Sequence, residues 1–482
     1  MARLIFLMML VMCFGLSQSE NKLCQRCKCT KSKVNETKID IDCTDNSAVH
    51  EVLYQQSSWI DENNITVPYA RVILKGSQLG DIVTPFLPST LTHLDLTRNG
   101  INNIKVECFA ELQSMDTLIL SDNNINLLKP DVFKGKRLDG ENYPLRSLKT
   151  LKLDMNDLHT LDQDVFEHVE QILEVLDLSY NPIKVFDLQT TIAIGSIIYL
   201  KELYLRFTHI KELPDHFLHT PRHLKLLDLS GNNFEKIPTG LSEAQVLETL
   251  YFNNNPIVNI TRESAFPNIS TLKVLYLCYN IELENIGAKA LSSLENLVEL
   301  HICNNIKLNH IDPAALSRVE GNSESEVWPP LKKLYLEDNK LASLDLHLVL
   351  HWDHLEELDL RYNPWTCECE NQWIVDTLMP IYVKINETLA KEMKCGAPVE
   401  MEGVTFYDEY VANKSMRCLD YYGNRPERDG TVLIAVLIGL LLGIPTVLFI
   451  IFAYQRKWFG FFDSGPAAYS RQFYRRTRSD EL

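Results

Sequence analysis

Residues 173–183 read LEVLDLSYNPI, and the fold follows from how that stretch is parsed. A strand points alternate side chains to opposite faces, so Leu176 and Leu178 turn inward while Asp177 faces out. Leu173 leads in and Ile183 closes the segment. At the ninth position, Asn181, the chain turns, and backbone donors and acceptors at such a turn would be buried unpaired. An inward asparagine amide both donates and accepts, so it can satisfy both kinds of group.

The frame L-x-x-L-x-L-x-x-N-x-L recurs over residues 69–365. Clean copies start at Leu91, Leu148, Leu173, Leu224, Leu247, Leu331 and Leu355, and looser ones at Tyr69, Met115, Leu200, Leu272 and Leu297, making twelve. Most starts lie 22 to 27 residues apart, close to the leucine-rich-repeat period. Two longer gaps carry polar insertions, expected as loops around Lys134–Leu145 and Glu320–Pro330, with Tyr143 and Trp328 as their aromatic residues. Asparagine holds the ninth position in ten copies, and Ser77 and Thr208 hold it in the others. Between strands, Phe109, Phe133, Phe166, Phe217 and Phe266 recur and are expected to fill the convex side. An array of amphipathic helices would not keep asparagine at a fixed phase. One repeat cannot bury its apolar face alone, so the copies must stack. The expected fold is an α/β solenoid, a horseshoe with a parallel concave sheet.

A solenoid needs its open ends covered. Eight of the twelve cysteines flank the repeats in two groups of four: Cys24, Cys27, Cys29 and Cys43, then Cys367, Cys369, Cys395 and Cys418. Within each group three pairings are open. Zinc is the rival reading, and the unequal spacing together with a secretory context speaks against it. With these ends, residues 24 to about 420 resemble single-span leucine-rich-repeat cell-surface proteins, the superfamily of adhesion molecules and of Toll-type and growth-factor-type receptors. The resemblance implies cap disulfides Cys24–Cys29, Cys27–Cys43, Cys367–Cys395 and Cys369–Cys418. It is specific for architecture and poor at naming a ligand.

Two apolar runs set the expected topology. Leu4–Phe14 follows Arg3, is too short to span a bilayer, and precedes the small residues Ser17 and Ser19, as in a cleaved signal peptide. Thr431–Tyr454 is uncharged and long enough to cross as a helix. Basic residues outnumber acidic ones in 455–482, which places that tail in the cytosol. All six N-x-S/T sequons, at Asn35, Asn64, Asn259, Asn268, Asn386 and Asn413, precede the span. The chain is thus expected to be a single-pass type I plasma-membrane glycoprotein. Its expected parts are signal peptide 1–19, N-terminal cap 20–68, repeats 69–365, C-terminal cap 366–420, stalk 421–430, span 431–454 and tail 455–482. The formal charge of −17 includes +1 from Arg3 and +3 from the tail, which leaves −21 on residues 20–430. Such an acidic ectodomain does not suit nucleic acid.

Function is read from the outward residue at the middle of each strand. Down the stack it runs Ile73, Asp95, Ile119, Lys152, Asp177, Tyr204, Asp228, Tyr251, Tyr276, His301, Tyr335, Asp359. Tyrosine offers large, rigid contact area with a polar tip. Tyr204, Tyr251, Tyr276, His301 and Tyr335 are therefore the expected ligand-binding stripe, facing an extracellular protein or an opposing cell-surface protein. Cys278 and Cys303 stand at equivalent outward positions of adjacent repeats, within disulfide range; two free thiols are the alternative. Cys108 is expected as a buried thiol.

In the span, Ala435, Gly439 and Gly443 recur every fourth residue and form a face for a second helix, in a homodimer or with a co-receptor. The terminus RRTRSDEL ends on Asp480 and Leu482, which resemble a ligand of a cytosolic PDZ-type scaffold. No metalloprotease, nucleophile-elbow, phosphate-loop or kinase motif occurs, so the expected protein is a binding protein with no catalytic residue, metal or cofactor. The rival roles are a recognition or adhesion receptor, a ligand-capturing co-receptor, and a resident of the secretory pathway.

Overall fold

The computed structural model describes residues 22–456 and Trp458, apart from 34, 62–64, 139–140, 320–325, 350–351, 415 and 417–425. The expected signal peptide, Asn64, Cys418 and the tail residues Asp480 and Leu482 lie outside the described residues. The chain divides into two compact units. Residues up to Thr366 with Trp373–Asn413 form the first, and Cys367–Gln372 with Lys414–Leu482 the second.

The first unit is a parallel-sheet solenoid. Its main sheet has fourteen strands among the described residues. Twelve are the repeat strands, each three to five residues long, from Tyr69–Ile73 to Glu357–Asp359. They pair in parallel and in register, so that Leu176, Leu203 and Leu227 are direct neighbours inside while Asp177, Tyr204 and Asp228 are neighbours outside. The inward leucines are fully buried. An antiparallel pair that precedes the repeats, Lys28–Lys31 with Ile39–Asp42, extends the sheet, and Ile39–Asp42 runs parallel to the first repeat strand. The five expected phenylalanines are at most 2% exposed, and Phe133 stacks on Phe166 across the back of two repeats.

The turn asparagines hold the stack together. Asn123 Oδ1 accepts from the backbone N–H groups of Asn99 (2.8 Å) and Ile101 (3.1 Å). Its Nδ2 donates to the carbonyls of Leu96, Leu120 and Ser121, at 3.0, 2.9 and 3.1 Å. One amide thus ties its own turn to the preceding repeat, as the pairing of buried backbone groups requires. Ser77 does the equivalent for the first repeat, where its hydroxyl donates to the carbonyl of Cys43 at 2.8 Å.

Each of these turns also carries a residue in the left-handed region, just before the ninth position. The row includes Arg98 (φ 56°), Asp122 (55°), Met155 (56°), Tyr180 (57°), Phe207 (51°), Tyr279 (59°) and Tyr362 (57°). Left-handed backbone costs a non-glycine residue about 1 kcal/mol, and here the surrounding hydrogen bonds hold it in place.

The two insertions differ from the loops expected. Lys134–Leu138 pairs antiparallel with Glu141–Pro144, and Arg318–Val319 with Glu326–Val327. Each insertion leaves the repeat frame as a short ribbon, which gives its backbone groups partners that a bare loop would lack. At the ends, Cys24–Cys29 and Cys27–Cys43 are bonded, and Cys367 and Cys395 are both disulfide-bonded. Helix Met379–Glu392 belongs to the C-terminal end of the solenoid, where Tyr382 is fully buried and its hydroxyl accepts from the Leu360 N–H at 3.4 Å.

The second unit contains a 30-residue helix, Pro426–Gln455, with Pro445 inside it. Its stretch Gly430–Gln455 is long and apolar enough to cross a membrane.

Candidate functional site: an aromatic ladder on the concave sheet

Register alone brings the outward residues of successive strands side by side. Tyr251 pairs with Tyr276, Tyr276 with His301, and His301 with Tyr335. Neighbouring strands lie ~4.8 Å apart, a spacing at which flat rings can stack. The rings do so. Centroids are 4.4 Å apart for Tyr251–Tyr276, 4.1 Å for Tyr276–His301 and 4.3 Å for His301–Tyr335. Interplanar angles are 11°, 17° and 9°, so four rings form one continuous stack. Tyr204 stands apart from it. Asp228 occupies the intervening strand, and Tyr204 instead lies under the Arg206 guanidinium, 5.4 Å from its ring centre.

Carboxylates from the neighbouring outward position fix how the rings lie. Tyr204 donates its hydroxyl to Glu202 at 2.8 Å, Tyr276 to Glu299 at 3.5 Å, and Tyr335 to Glu357. His301 Nε2 is 2.7 Å from the same Glu299. Burial first, then the charges of Tyr251 and Glu299, push the Tyr276 hydroxyl up to about 12. Burial and the bonded carboxylate likewise raise Tyr204 and Tyr335. These phenols therefore stay neutral donors at physiological pH. Burial lowers His301 below its ordinary value against the opposing pull of Glu299, so the sandwiched imidazole is neutral.

The disulfide Cys278–Cys303 lies beside this ladder. Its cysteines follow Tyr276 and His301 by two residues and have Cα atoms 4.5 Å apart. Both are buried, although they stand at outward positions. The Cys303 N–H donates to Cys278 Sγ at 3.3 Å and the Cys278 N–H to Asn253 at 2.7 Å. The two central strands of the ladder are thereby joined covalently. Cys108 is a free, buried thiol near the Ile82 carbonyl, 3.3 Å away, and takes no part.

A second aromatic row comes from the left-handed turn residues. Tyr180 and Phe207 stack with centroids 4.8 Å apart. Tyr279 and Tyr362 are 57% and 62% exposed, the most open aromatic residues of the solenoid turns. Gly231 occupies the same turn position in the next repeat. A β-carbon there would meet the Phe207 ring at 2.5 Å, so the missing side chain is what lets that ring lie flat.

The repeat frame located the ring positions but missed the groups around them. Glu202, Glu299 and Glu357 occupy the other outward position of their strands, which the same two-residue period identifies. Arg206, between Asp177 (3.4 Å) and Asp228 (3.6 Å), is likewise outward by period. Of the other expected sites, Asn35, Asn259, Asn268, Asn386 and Asn413 are exposed. Gly439 and Gly443 have nothing within 4 Å of where a β-carbon would stand. A separate cavity of about 720 Å³ is lined by Lys184, Phe186, His209, Lys211 and Pro214 among others.

The leucine rich repeat family model matches residues 89–138, 198–257 and 263–321. Lumican of Rattus norvegicus is 30% identical over 204 residues, which span 42% of this chain and 54% of lumican. Toll-like receptor 7 of Mus musculus is 30% identical over 242 residues, 46% of this chain and 22% of the receptor. The chain spans about half the length of the lumicans it matches. A solved leucine-rich-repeat protein of Leptospira interrogans aligns at TM-score 0.45 and 22% identity, over 62% of this chain and 68% of its own.

Proposed function

We propose, for a chain that belongs to the extracellular leucine-rich-repeat proteins, that it is a cell-surface receptor or adhesion protein which binds a protein ligand on the C-terminal half of its concave sheet. The observation that carries this reading is the in-register stack of Tyr251, Tyr276, His301 and Tyr335. Stacked rings offer a pre-ordered surface, so binding costs little side-chain entropy, and aromatic anchors of this kind dominate interface energetics.

In this reading the helix Pro426–Gln455 anchors the chain as a type I membrane protein, with the solenoid outside and the tail carrying Asp480 and Leu482 inside. The exposed sequons carry glycans, and the cap and ladder disulfides belong to an oxidising compartment. A co-receptor role is the second reading. It is favoured by the Ala435, Gly439 and Gly443 spacing on that helix, a face through which a signalling partner or a second copy could approach closely.

Cells displaying the full chain provide the test. Surface biotinylation should label the solenoid, and aggregation with cells bearing the opposing ligand should fall when Tyr251 and Tyr276 are both replaced by Ala. Replacement of both by Phe keeps the stack and should retain most of the binding. Unchanged aggregation in the Ala variant at equal surface level would remove the ladder from the site.

A further inference from the structure

The strip of strand residues on the concave sheet holds more carboxylate than its own cations serve. Arg206 is divided between Asp177 and Asp228, as above. Lys333 is divided between Glu357 (2.8 Å) and Glu299 (3.9 Å). Arg361 holds Asp359 at 2.8 Å and also reaches Glu392, at 2.5 Å. The neighbouring row, one residue before each strand, is organised differently. There Glu248 sits between Lys225 and Lys273, each at 2.9 Å, and Glu174 between Lys149 (3.1 Å) and Lys201 (2.7 Å). Two lysines flank each of those glutamates, whereas in the strip Arg206 and Lys333 are each shared by two carboxylates.

The strip shows the consequence. One carboxylate oxygen of Glu337 is buried without a hydrogen-bond partner. Burial also raises the carboxyls of Glu337, Asp228 and Asp154 above their usual range, more than the nearby cations lower them. The rings lie in the middle of this strip. The stack covers its own inner faces, and its outer faces, on Tyr251 and Tyr335, look along the row toward Asp228 and Asp359.

Resting on the reading of this sheet as the protein-binding face, the geometry points to a partner that presents arginine side chains to the ladder. A guanidinium pairs in its own plane with a carboxylate such as Glu299 or Glu357. Each carboxylate has acceptor sites beyond those its tyrosine, imidazole or lysine neighbours use. The arginine stem covers ring edges, and an outer ring face takes a second cation. Lysine lacks the planar fork and fits this arrangement less well.

The full chain in phosphatidylcholine nanodiscs, with nona-arginine and nona-lysine peptides as probes, tests the partner chemistry. Nona-arginine should bind more tightly than nona-lysine. The double variant Glu299→Gln/Glu357→Gln should weaken nona-arginine binding about tenfold. The control Glu167→Gln/Glu263→Gln, at exposed positions off the sheet strip, should change it less than about twofold. Equal losses in the two variants would mean that the probe senses net charge alone, and would overturn the proposal. Circular dichroism melts keep misfolding apart from lost binding, and Glu299→Asp/Glu357→Asp should recover part of the affinity. The reading of the face itself is judged separately, by cell aggregation. If the Tyr251/Tyr276 Ala variant loses aggregation while the Gln variant keeps it, the face stands and the arginine partner falls. If neither variant changes aggregation, both fall.

Discussion

The two halves of the concave sheet share a backbone and differ in what it displays. Strands up to Thr150–Lys152 show Ile73, Asp95, Ile119 and Lys152 at their middle outward position. From Thr249–Tyr251 to Lys333–Tyr335 the same position shows four stacked rings. Inside, the halves are alike. Asn123 and Asn305 are both buried, and each hydrogen-bonds across to the preceding repeat. Parallel register multiplies whatever side chain is placed outward, because direct neighbours are held one strand spacing apart. A ladder of rings therefore needs only the same residue type repeated, and a mixed row such as the N-terminal one yields no ladder.

The largest expected effect tests the shared interior. Asn123→Ala strands the backbone N–H groups of Asn99 and Ile101 and takes one of two donors from each of three carbonyls, and should cost about 3 to 5 kcal/mol at roughly 1–3 kcal/mol per buried unsatisfied group. Asn305→Ala should cost a similar amount if the halves are alike inside, as read from urea midpoints.

Next comes the disulfide, which one half has and the other lacks. Cys278→Ser/Cys303→Ser opens a loop of 25 residues and should cost about 2 to 4 kcal/mol. It should also weaken ligand binding more than the stability loss alone explains, because the bond joins the two central strands of the ladder.

Glycine substitution separates the two halves at the turns. Gly231→Ala meets both a positive φ of 70° and the Phe207 ring, whereas Gly100→Ala meets only its φ of 66°. Expected losses are about 2 to 3 kcal/mol for the first and about 1 kcal/mol for the second, measured as shifts in melting temperature.

The smallest effect concerns acid. His301 titrates below its unfolded value, so the unfolded chain binds the proton first as pH falls. Its contribution is fully present above the ordinary histidine value of 6.5 and is lost as pH falls from there toward the lowered folded value. His93, in the other half, shifts in the same direction, from burial and then the charge of Arg71. Between pH 7.5 and 5.5 the stability loss should shrink in His301→Gln and in His93→Gln, while only the first should alter the pH dependence of binding.

Much of this was legible without coordinates. The period placed all twelve repeat strands, the inward leucines and the turn asparagines, since each rests on a local rule of alternation or backbone satisfaction. The ring residues were legible for the same reason. The insertions were not: polar composition marks Lys134–Leu145 as a departure from the frame, but antiparallel pairing of Lys134 with Pro144 depends on chain geometry. The left-handed row was hidden too. Glycine and asparagine at Gly231 and Asn254 suggest it, yet Met155, Tyr180 and Phe207 adopt the same backbone against their preference.

The amino-acid order by itself determined the solenoid, its inside and outside, and which residues share the concave row. Those properties follow from period, and period is written in one dimension. Only the tertiary structure decided that four of the row's rings stack while Tyr204 turns to Arg206, and that Arg206 and Lys333 are each shared between two carboxylates. Such choices depend on distances between residues some 23 to 34 positions apart, and those distances exist only once the strands lie side by side.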